Sequence, residues 1–200
     1  DDYCRLPDVI SGERTQLNDG LLQIENEFYS AIRPKRVTRS GEAPVRALEE
    51  RGIEYVEVRC LDINPFTPLG INEEIIALVD TFLLSCVLSD SPLSNAATRN
   101  IDNTNTQRIL NFGRDPSLQL LTKDGRAISR NEHAKPILDA MQEAAGWLDS
   151  ATSTTRHSDA MIRARGMLMD DVETPSSRVL REVFEQNISY SGLMLSLIHI

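Results

Sequence analysis

The sequence lacks the features that mark several common classes of protein. It has three cysteines, Cys4, Cys60 and Cys86, with no CxxC pair and no spacing typical of a zinc finger. It has no Walker-type glycine loop, which excludes the commonest cradle for ATP phosphates. No Ser-His-Asp order or dense His/Cys cluster indicates hydrolase or zinc chemistry. No apolar run reaches the roughly 18 residues that a membrane-spanning helix needs.

The composition is that of an ordinary soluble globular protein, with one large domain or two small ones. Of the 200 residues, 40% are hydrophobic and 26% are charged, and the net charge is −9. This acidic balance argues against a general nucleic-acid binder. An odd cysteine count and no recognisable signal peptide lead us to expect a cytoplasmic location, with buried or idle thiols.

A basic cluster stands out against the acidic background. Arg33, Lys35, Arg36 and Arg39 all fall within residues 33–39. Such a concentration of positive charge predicts a local site for an anion. The alternative is a loop whose charges only keep the protein soluble.

The stretch Ile53 to Phe66 contains the residues with the clearest chemistry. It is rich in β-branched residues, so it predicts a strand. Since side chains alternate along a strand, Glu57 and Arg59 share one face with Tyr55, and the mostly apolar opposite face suits a core. A carboxylate that binds a divalent cation beside a guanidinium that binds an anion is what phosphoryl transfer needs. The alternative is an ordinary surface ion pair.

A second predicted strand has the same design. Between Leu21 and Ile32, apolar side chains alternate with a polar set made of Gln23, Glu25, Glu27 and Tyr29. Pairing of this strand (about 21–32) with the later one (about 52–62) in an antiparallel sheet would place both polar faces on one surface. Glu25 and Glu27 are further candidates to bind a metal or a substrate amine. The alternative is that both are ordinary carboxylates exposed to solvent.

The remainder of the chain predicts helices, which makes the fold class α+β with antiparallel strands first and a mainly helical C-terminal region. Asn72 is expected to cap a buried helix that packs behind the sheet through an apolar stripe from Ile75 to Cys86. Residues 91–106 read as a loop, residues 107–112 as a short helix, and the segment around Lys123, Asp124 and Gly125 as a hairpin. The further helices are predicted at Pro136–Leu148, at His157–Met169, and from the Thr174-Pro175 cap to near Asn187. His133 and His157 each stand alone and are expected to be structural or exposed.

The predicted organisation has three parts. Residues 1–70 form a partial catalytic sheet, with one or two helical turns at residues 44–51, and residues 71–194 form the helical region. Residues 195–200 resemble the translation of a sequencing adapter, so we expect an artefact there, the alternative being an apolar strand.

Two blocks of this sequence resemble a known enzyme family. Leu22 to Gly41 (LQIENEFYSAIRPKRVTRSG) and Gly52 to Phe66 (GIEYVEVRCLDINPF) are similar to consecutive blocks of the proteobacterial-type glutamate–cysteine ligase (γ-glutamylcysteine synthetase). The second block also resembles the Ile-Glu-Val-Arg strand of glutamine synthetase, of the same superfamily. The match is close from about residue 21 to residue 90, with weaker echoes at residues 111–116 and 174–178.

The resemblance implies an activity and a set of site residues. The family joins L-glutamate to L-cysteine with ATP and Mg²⁺ (or Mn²⁺), through a γ-glutamyl phosphate, in the first step of glutathione biosynthesis. Glu57 matches a metal ligand of that family, Arg59 matches the arginine at the transferred phosphoryl group, and Tyr29 matches a tyrosine near the cysteine substrate. Arg33, Lys35 and Arg36 lie where the superfamily keeps basic residues near the nucleotide phosphates.

The resemblance also implies that the chain is a C-terminal portion of the ligase. We therefore expect its partners to be small-molecule substrates and the missing N-terminal half of the same chain, with no nucleic acid and no membrane. The portion alone is expected to be inactive, because metal sites need several ligands. Two alternatives stay open: a related carboxylate–amine ligase with another acceptor, and a non-catalytic C-terminal binding module.

Overall fold

The structure is a computed structural model, and it describes residues 9–10, 13–14, 30–169 and 173–197. The chain divides into two compact units, Asp1–Asp62 and Ile63–Ile200. The α+β class with a mainly helical C-terminal region is confirmed. The division of function between a sheet region and a helical region stays a prediction.

The first unit is built on short antiparallel strand pairs. Strand β1 (Val9–Ile10) pairs with β2 (Glu13–Arg14), and β3 (Ile32–Lys35) pairs with β4 (Tyr55–Val58). Helix α1 (Pro44–Arg51) lies in the connection between β3 and β4, where one or two helical turns were expected. Gly52 ends α1 with a φ of +71°, a value that favours glycine.

The structure bears differently on the two predicted strands. The first, at about 21–32, lies mostly outside the described residues, and Ile32 is its only member in β3. The second, at about 52–62, exists but is confined to β4. It is shorter than predicted because pairing with the short β3 limits it: the last bond of this pairing runs from the Arg59 N–H to the Ala31 carbonyl, at 2.7 Å.

The second unit is mainly helical. Its elements, in chain order, are α2 (Glu73–Leu88), α3 (Ala96–Phe112), β5 (Gln119–Leu121), β6 (Ala127–Ser129), α4 (Arg130–Thr152), α5 (Arg156–Met169), α6 (Pro175–Gln186) and α7 (Tyr190–Leu197). Helices α2, α4 and α5 pack against one another. Their core is centred on Leu138, Met141, Ala145 and Met161, all buried. No helix in the described part of the chain is long and apolar enough to cross a membrane.

Helix α2 begins where predicted but buries a different face. The Asn72 side chain accepts a hydrogen bond from the Ile75 N–H at 3.0 Å, as expected of an N-cap. The buried positions are Ala77, Thr81 and Ser85, however, and Cys86 is exposed. The predicted stripe is therefore wrong. Within its own unit, α2 contacts α4 and α5. The expectation that it packs behind the sheet stays a prediction.

Helix α3 replaces the predicted loop at residues 96–106 and continues through the short helix predicted at residues 107–112, whereas residues 91–95 are a loop as predicted. Asn95 and Thr98 form a reciprocal capping box that starts the helix, with bonds of 3.0 and 2.9 Å. Asn105 is 7% exposed, and its side chain bonds both to the carbonyl and to the N–H of Leu121, each at 2.8 Å. These bonds outweigh the low helix propensity of asparagine on which the loop prediction rested.

The remaining elements mostly follow the predictions, apart from the start of α4. The β5–β6 hairpin, helix α5 and the Thr174 cap of α6 are confirmed. Helix α4 starts at Arg130, because Ser129 and Glu132 form a capping box, and Pro136 lies inside the helix. The prediction that α4 starts at Pro136 is therefore wrong. Residues 195–197 are the end of α7, not a strand.

Candidate active site

The polar face of the β3–β4 sheet gathers most of the predicted site residues. The antiparallel register places Arg33 opposite Glu57 and Lys35 opposite Tyr55. Because opposed residues of a sheet share a face, these four side chains emerge together, and Pro34 and Val56 emerge on the other side.

Glu57 is the centre of this face. Its Oε1 lies 2.9 Å from Arg59 Nε, and its Oε2 lies 3.3 Å from Lys35 Nζ. The hydrogen bond from Arg59 lowers the pKa of the Glu57 carboxyl; burial opposes this effect, and Lys35 adds to it. The carboxylate is therefore ionised at neutral pH. The structure thus brings the predicted acid and base together on one face.

One oxygen of Glu57 is incompletely satisfied. Although the side chain as a whole is partly exposed, Oε2 itself is buried and has no hydrogen-bond partner among the described residues. The ammonium of Lys35 attracts it electrostatically without the geometry of a hydrogen bond. A buried carboxylate oxygen of this kind can serve as a ligand of a hard cation.

The described residues offer only part of a metal site. They contain no group of three or more His, Cys, Asp or Glu side chains that could hold a metal ion. Glu57 fits Mg²⁺ or Mn²⁺ as one oxygen ligand, and a complete shell needs more. Tyr29, Glu25 and Glu27, the other candidates from the sequence, lie outside the described residues.

Arg36 is separated from the Glu57 cluster. It follows the last residue of β3 and pairs with Glu54, at 3.5 Å, instead of with Glu57.

The expectation that the apolar face of the sheet is buried is not met in the described part of the chain: Ile32 is 39% exposed and Val56 41%.

Sequence reasoning missed a second charged group beside the sheet. Arg51, the last residue of α1, donates two hydrogen bonds to Glu42, at 2.6 and 2.7 Å. The pKa of Glu42 is lowered to about 2, mainly by the bond from Arg51 and further by the Arg39 N–H. Nothing in the sequence pairs these residues, because a turn and a helix separate them.

Comparison with known proteins identifies the family of this chain. Residues 1–109 match the family model described as glutamate-cysteine ligase. Glutamate–cysteine ligases from Janthinobacterium sp. and Pseudomonas paraeruginosa are each 44% identical to the chain, over 94% and 96% of its length. The chain spans 36% of the length of each of these relatives.

A solved structure shares the fold over almost the whole chain. It is the crystal structure of glutamate–cysteine ligase from Francisella tularensis in complex with AMP, with a TM-score of 0.82 and 33% sequence identity. The similarity covers 99% of this chain and 39% of that one. Since the family model matches more than half of its residues, this chain belongs to the glutamate–cysteine ligase family.

Proposed function

We propose that the full-length protein is an ATP-dependent ligase that joins the γ-carboxyl of L-glutamate to the amine of L-cysteine, the first step of glutathione biosynthesis. The observation that carries the proposal is the Glu57–Arg59 ion pair on the polar face of the β3–β4 sheet, in a chain of this family. The AMP bound to the Francisella tularensis relative supports a nucleotide as one substrate.

The reaction has two steps, and both must control negative charge. A γ-carboxylate oxygen of glutamate attacks the terminal phosphorus of ATP, and ADP leaves. The cysteine amine then attacks the acyl carbon of the γ-glutamyl phosphate, and phosphate leaves as the amine loses a proton. Arg59 would stabilise the charge on the phosphoryl oxygens, because a planar guanidinium bonds such oxygens in pairs.

The basic residues around the sheet would bind the nucleotide. Arg33 and Lys35 share the polar face with Glu57, and Arg36 follows directly, so their charge would attract the phosphates of ATP. Tyr29 would lie near the cysteine substrate. Both assignments rest on the resemblance of this segment to the family.

Glu57 would hold a divalent cation, Mg²⁺ or Mn²⁺. When bound, such an ion neutralises phosphate charge and orients the transferred group. Lys35 Nζ lies 3.3 Å from Glu57 Oε2, so it would be next to such an ion and would also be available to the phosphates.

The proposal is tested by ADP release in the full-length protein. With glutamate and cysteine present, we expect Glu57→Gln and Arg59→Ala to reduce turnover about 10²- to 10³-fold, the usual effect of losing one preorganised charge partner. Lys135→Ala and Asp139→Asn, which break an exposed ion pair on α4, are the matched controls and should leave turnover unchanged. Near-normal turnover of the Glu57 and Arg59 variants would contradict the assignments.

The same assay separates the alternatives. ADP release with cysteine, α-aminobutyrate and ammonia, each supplied in turn, identifies the acceptor amine. A preference for ammonia would indicate a different carboxylate–amine ligase of the superfamily. No ADP release with any acceptor would favour a non-catalytic binding module.

A further inference from the structure

The connection from β3 to α1 carries part of the basic cluster and is held in a defined shape. This segment, residues 36–43, is called the basic loop below. Within it, the Glu42 N–H bonds to the Arg39 carbonyl at 3.0 Å, closing a tight turn. Gly41 occupies that turn with a φ of +78°, a conformation that other residues rarely adopt.

A bidentate ion pair fixes the basic loop to helix α1. Besides its two bonds to Glu42, the Arg51 guanidinium donates to the Val37 carbonyl at 3.1 Å. Glu42 in turn accepts the Arg39 N–H at 2.7 Å. The Glu42 side chain is only 11% exposed and that of Arg51 20%, so water screens the pair weakly.

A second carboxylate fixes the start of the loop to the sheet. Glu54, directly before β4, accepts the Val37 N–H at 3.1 Å. Both backbone groups of Val37 are therefore bonded to charged side chains, one from α1 and one beside β4. The loop between the basic residues thus has little freedom to change shape.

We propose that Glu42 and Arg51 are positioning residues for the nucleotide. They hold in one shape the backbone of the basic loop, which carries Arg36 and Arg39 and begins directly after Lys35, the last residue of β3. This inference rests on the proposed function, because it assumes that ATP phosphates bind there. A loop ordered beforehand does not have to be ordered on binding, so fixing it strengthens the nucleotide complex selectively.

A purely structural role makes a different prediction. If the Glu42–Arg51 pair only stabilised the fold, its loss would lower the melting temperature and affect all substrates alike. If it positions the basic loop, its loss raises the KM for ATP and leaves the KM values for glutamate and cysteine near their original levels.

The experiment uses the full-length ligase with Arg51→Ala, Arg51→Lys and Glu42→Gln. We expect the KM for ATP to rise about tenfold or more in Arg51→Ala and Glu42→Gln, as in other cases of misplaced binding groups. Arg51→Lys keeps the positive charge but loses the planar guanidinium that bonds both carboxylate oxygens. Its KM for ATP should therefore lie between those of these variants and that of the wild type. The effects of the two substitutions on the KM for ATP should be less than additive in the double variant Glu42→Gln/Arg51→Ala, because the two residues share the ion pair.

A variant on the same helix is the matched control. Glu49→Gln changes an exposed charge of α1 that forms no ion pair with Glu42 or Arg51 among the described residues, and it should keep the wild-type KM for ATP. An unchanged KM for ATP in the Arg51 and Glu42 variants would overturn the inference, as would an equal rise in all three KM values together with a lower melting temperature. A wild-type protein without ligase activity would instead reject the proposed function itself, and this inference with it.

Discussion

At the scale of single residues, Asp149 links the end of α4 to the start of α5. Its carboxylate accepts the His157 N–H at 3.0 Å and the Ser158 N–H at 2.9 Å, and it lies 2.7 Å from His157 Nδ1. His157 is 1% exposed and Asp149 8%. Asp149 thus satisfies amides at the start of α5 that have no partner within the helix. The lone histidine has the structural role that we expected of it.

Removing this carboxylate should destabilise the helical unit strongly. We expect Asp149→Ala to lower the free energy of unfolding by about 3 kcal/mol, because the buried imidazole and the amides lose their partner. Urea unfolding followed by circular dichroism measures the change. Asp139→Ala, which removes an exposed carboxylate from the same helix, is the control and should have little effect. Equal stability of the two variants would contradict the linking role.

The same residue gives the helical unit an acid sensitivity. Burial tends to raise the pKa of Asp149, but hydrogen bonds from Ser158 and His157 outweigh it, so the pKa lies below the usual 3.8. A lowered pKa stabilises the folded state at pH values above the usual one, and this contribution is lost as the pH falls below 3.8. Below pH 3.8, the free energy of unfolding of Asp149→Ala should therefore fall less steeply with decreasing pH than that of the wild type.

Residues close in sequence on a strand were easier to predict than residues joined by tertiary structure. The alternation of side chains in the predicted strand at 52–62 is enough to place Glu57 next to Arg59, which directly follows β4, and the structure shows their side chains 2.9 Å apart. Lys35 reaches Glu57 only through the β3–β4 register, and Arg51 reaches Glu42 only through the turn before α1. Such pairs depend on how the chain folds back on itself, and the side-chain periodicity within one strand or helix does not predict that.

At the scale of elements, α2 shows which side of a helix becomes buried. Its buried positions carry the small side chains Ala77, Thr81 and Ser85, one turn apart. Small residues let α2 approach α4 and α5 closely, and the larger apolar residues Ile76 and Phe82 remain 48% and 39% exposed. A prediction from hydrophobicity alone therefore identified the wrong face of α2 as the buried one.

Enlarging this face should separate the helices. We expect Ala77→Leu to lower the free energy of unfolding by about 1–3 kcal/mol, because the added atoms have no space at a position that is 2% exposed. Cys86→Leu, on the exposed side of α2, is the matched control and should change stability little. The measurement is again urea unfolding. A neutral Ala77→Leu would show that α2 does not pack closely there.

The helix boundaries show the limits of composition as a guide. Thr174 and Pro175 predicted the start of α6 correctly, since both a cap and a first-turn proline were present. Pro136 was likewise predicted to lie in the first turn of a helix, but the capping box formed by Ser129 and Glu132 starts α4 earlier. Asn105 lies in a stretch that resembles a loop until its bonds to β5 are known.

At the scale of the whole molecule, the chain is much shorter than the glutamate–cysteine ligases that it resembles. The relatives that it matches are longer, and it spans 36% of their length. Glu57 is proposed as one oxygen ligand for a cation, and the described residues hold no group of three or more His, Cys, Asp or Glu side chains around it.

We therefore expect these 200 residues alone to be inactive. ADP release with glutamate, cysteine and Mg²⁺ should stay at background, because a divalent cation needs about six oxygen ligands in defined positions. The full-length protein, assayed at the same concentration, is the positive control. Turnover by the isolated chain would show that its site is complete and would refute this prediction.

The pairing of β3 with β4 also determines which changes the protein can accept during evolution. Arg33 faces Glu57 only because the two strands are aligned in one register, and the shift of a single residue would move every side chain to the opposite side. A deletion inside residues 55–59 would thus replace the charged surface by valines, even with all the important residues still present. Single substitutions in these two strands leave the register intact, so we expect insertions and deletions to be tolerated only outside β3 and β4.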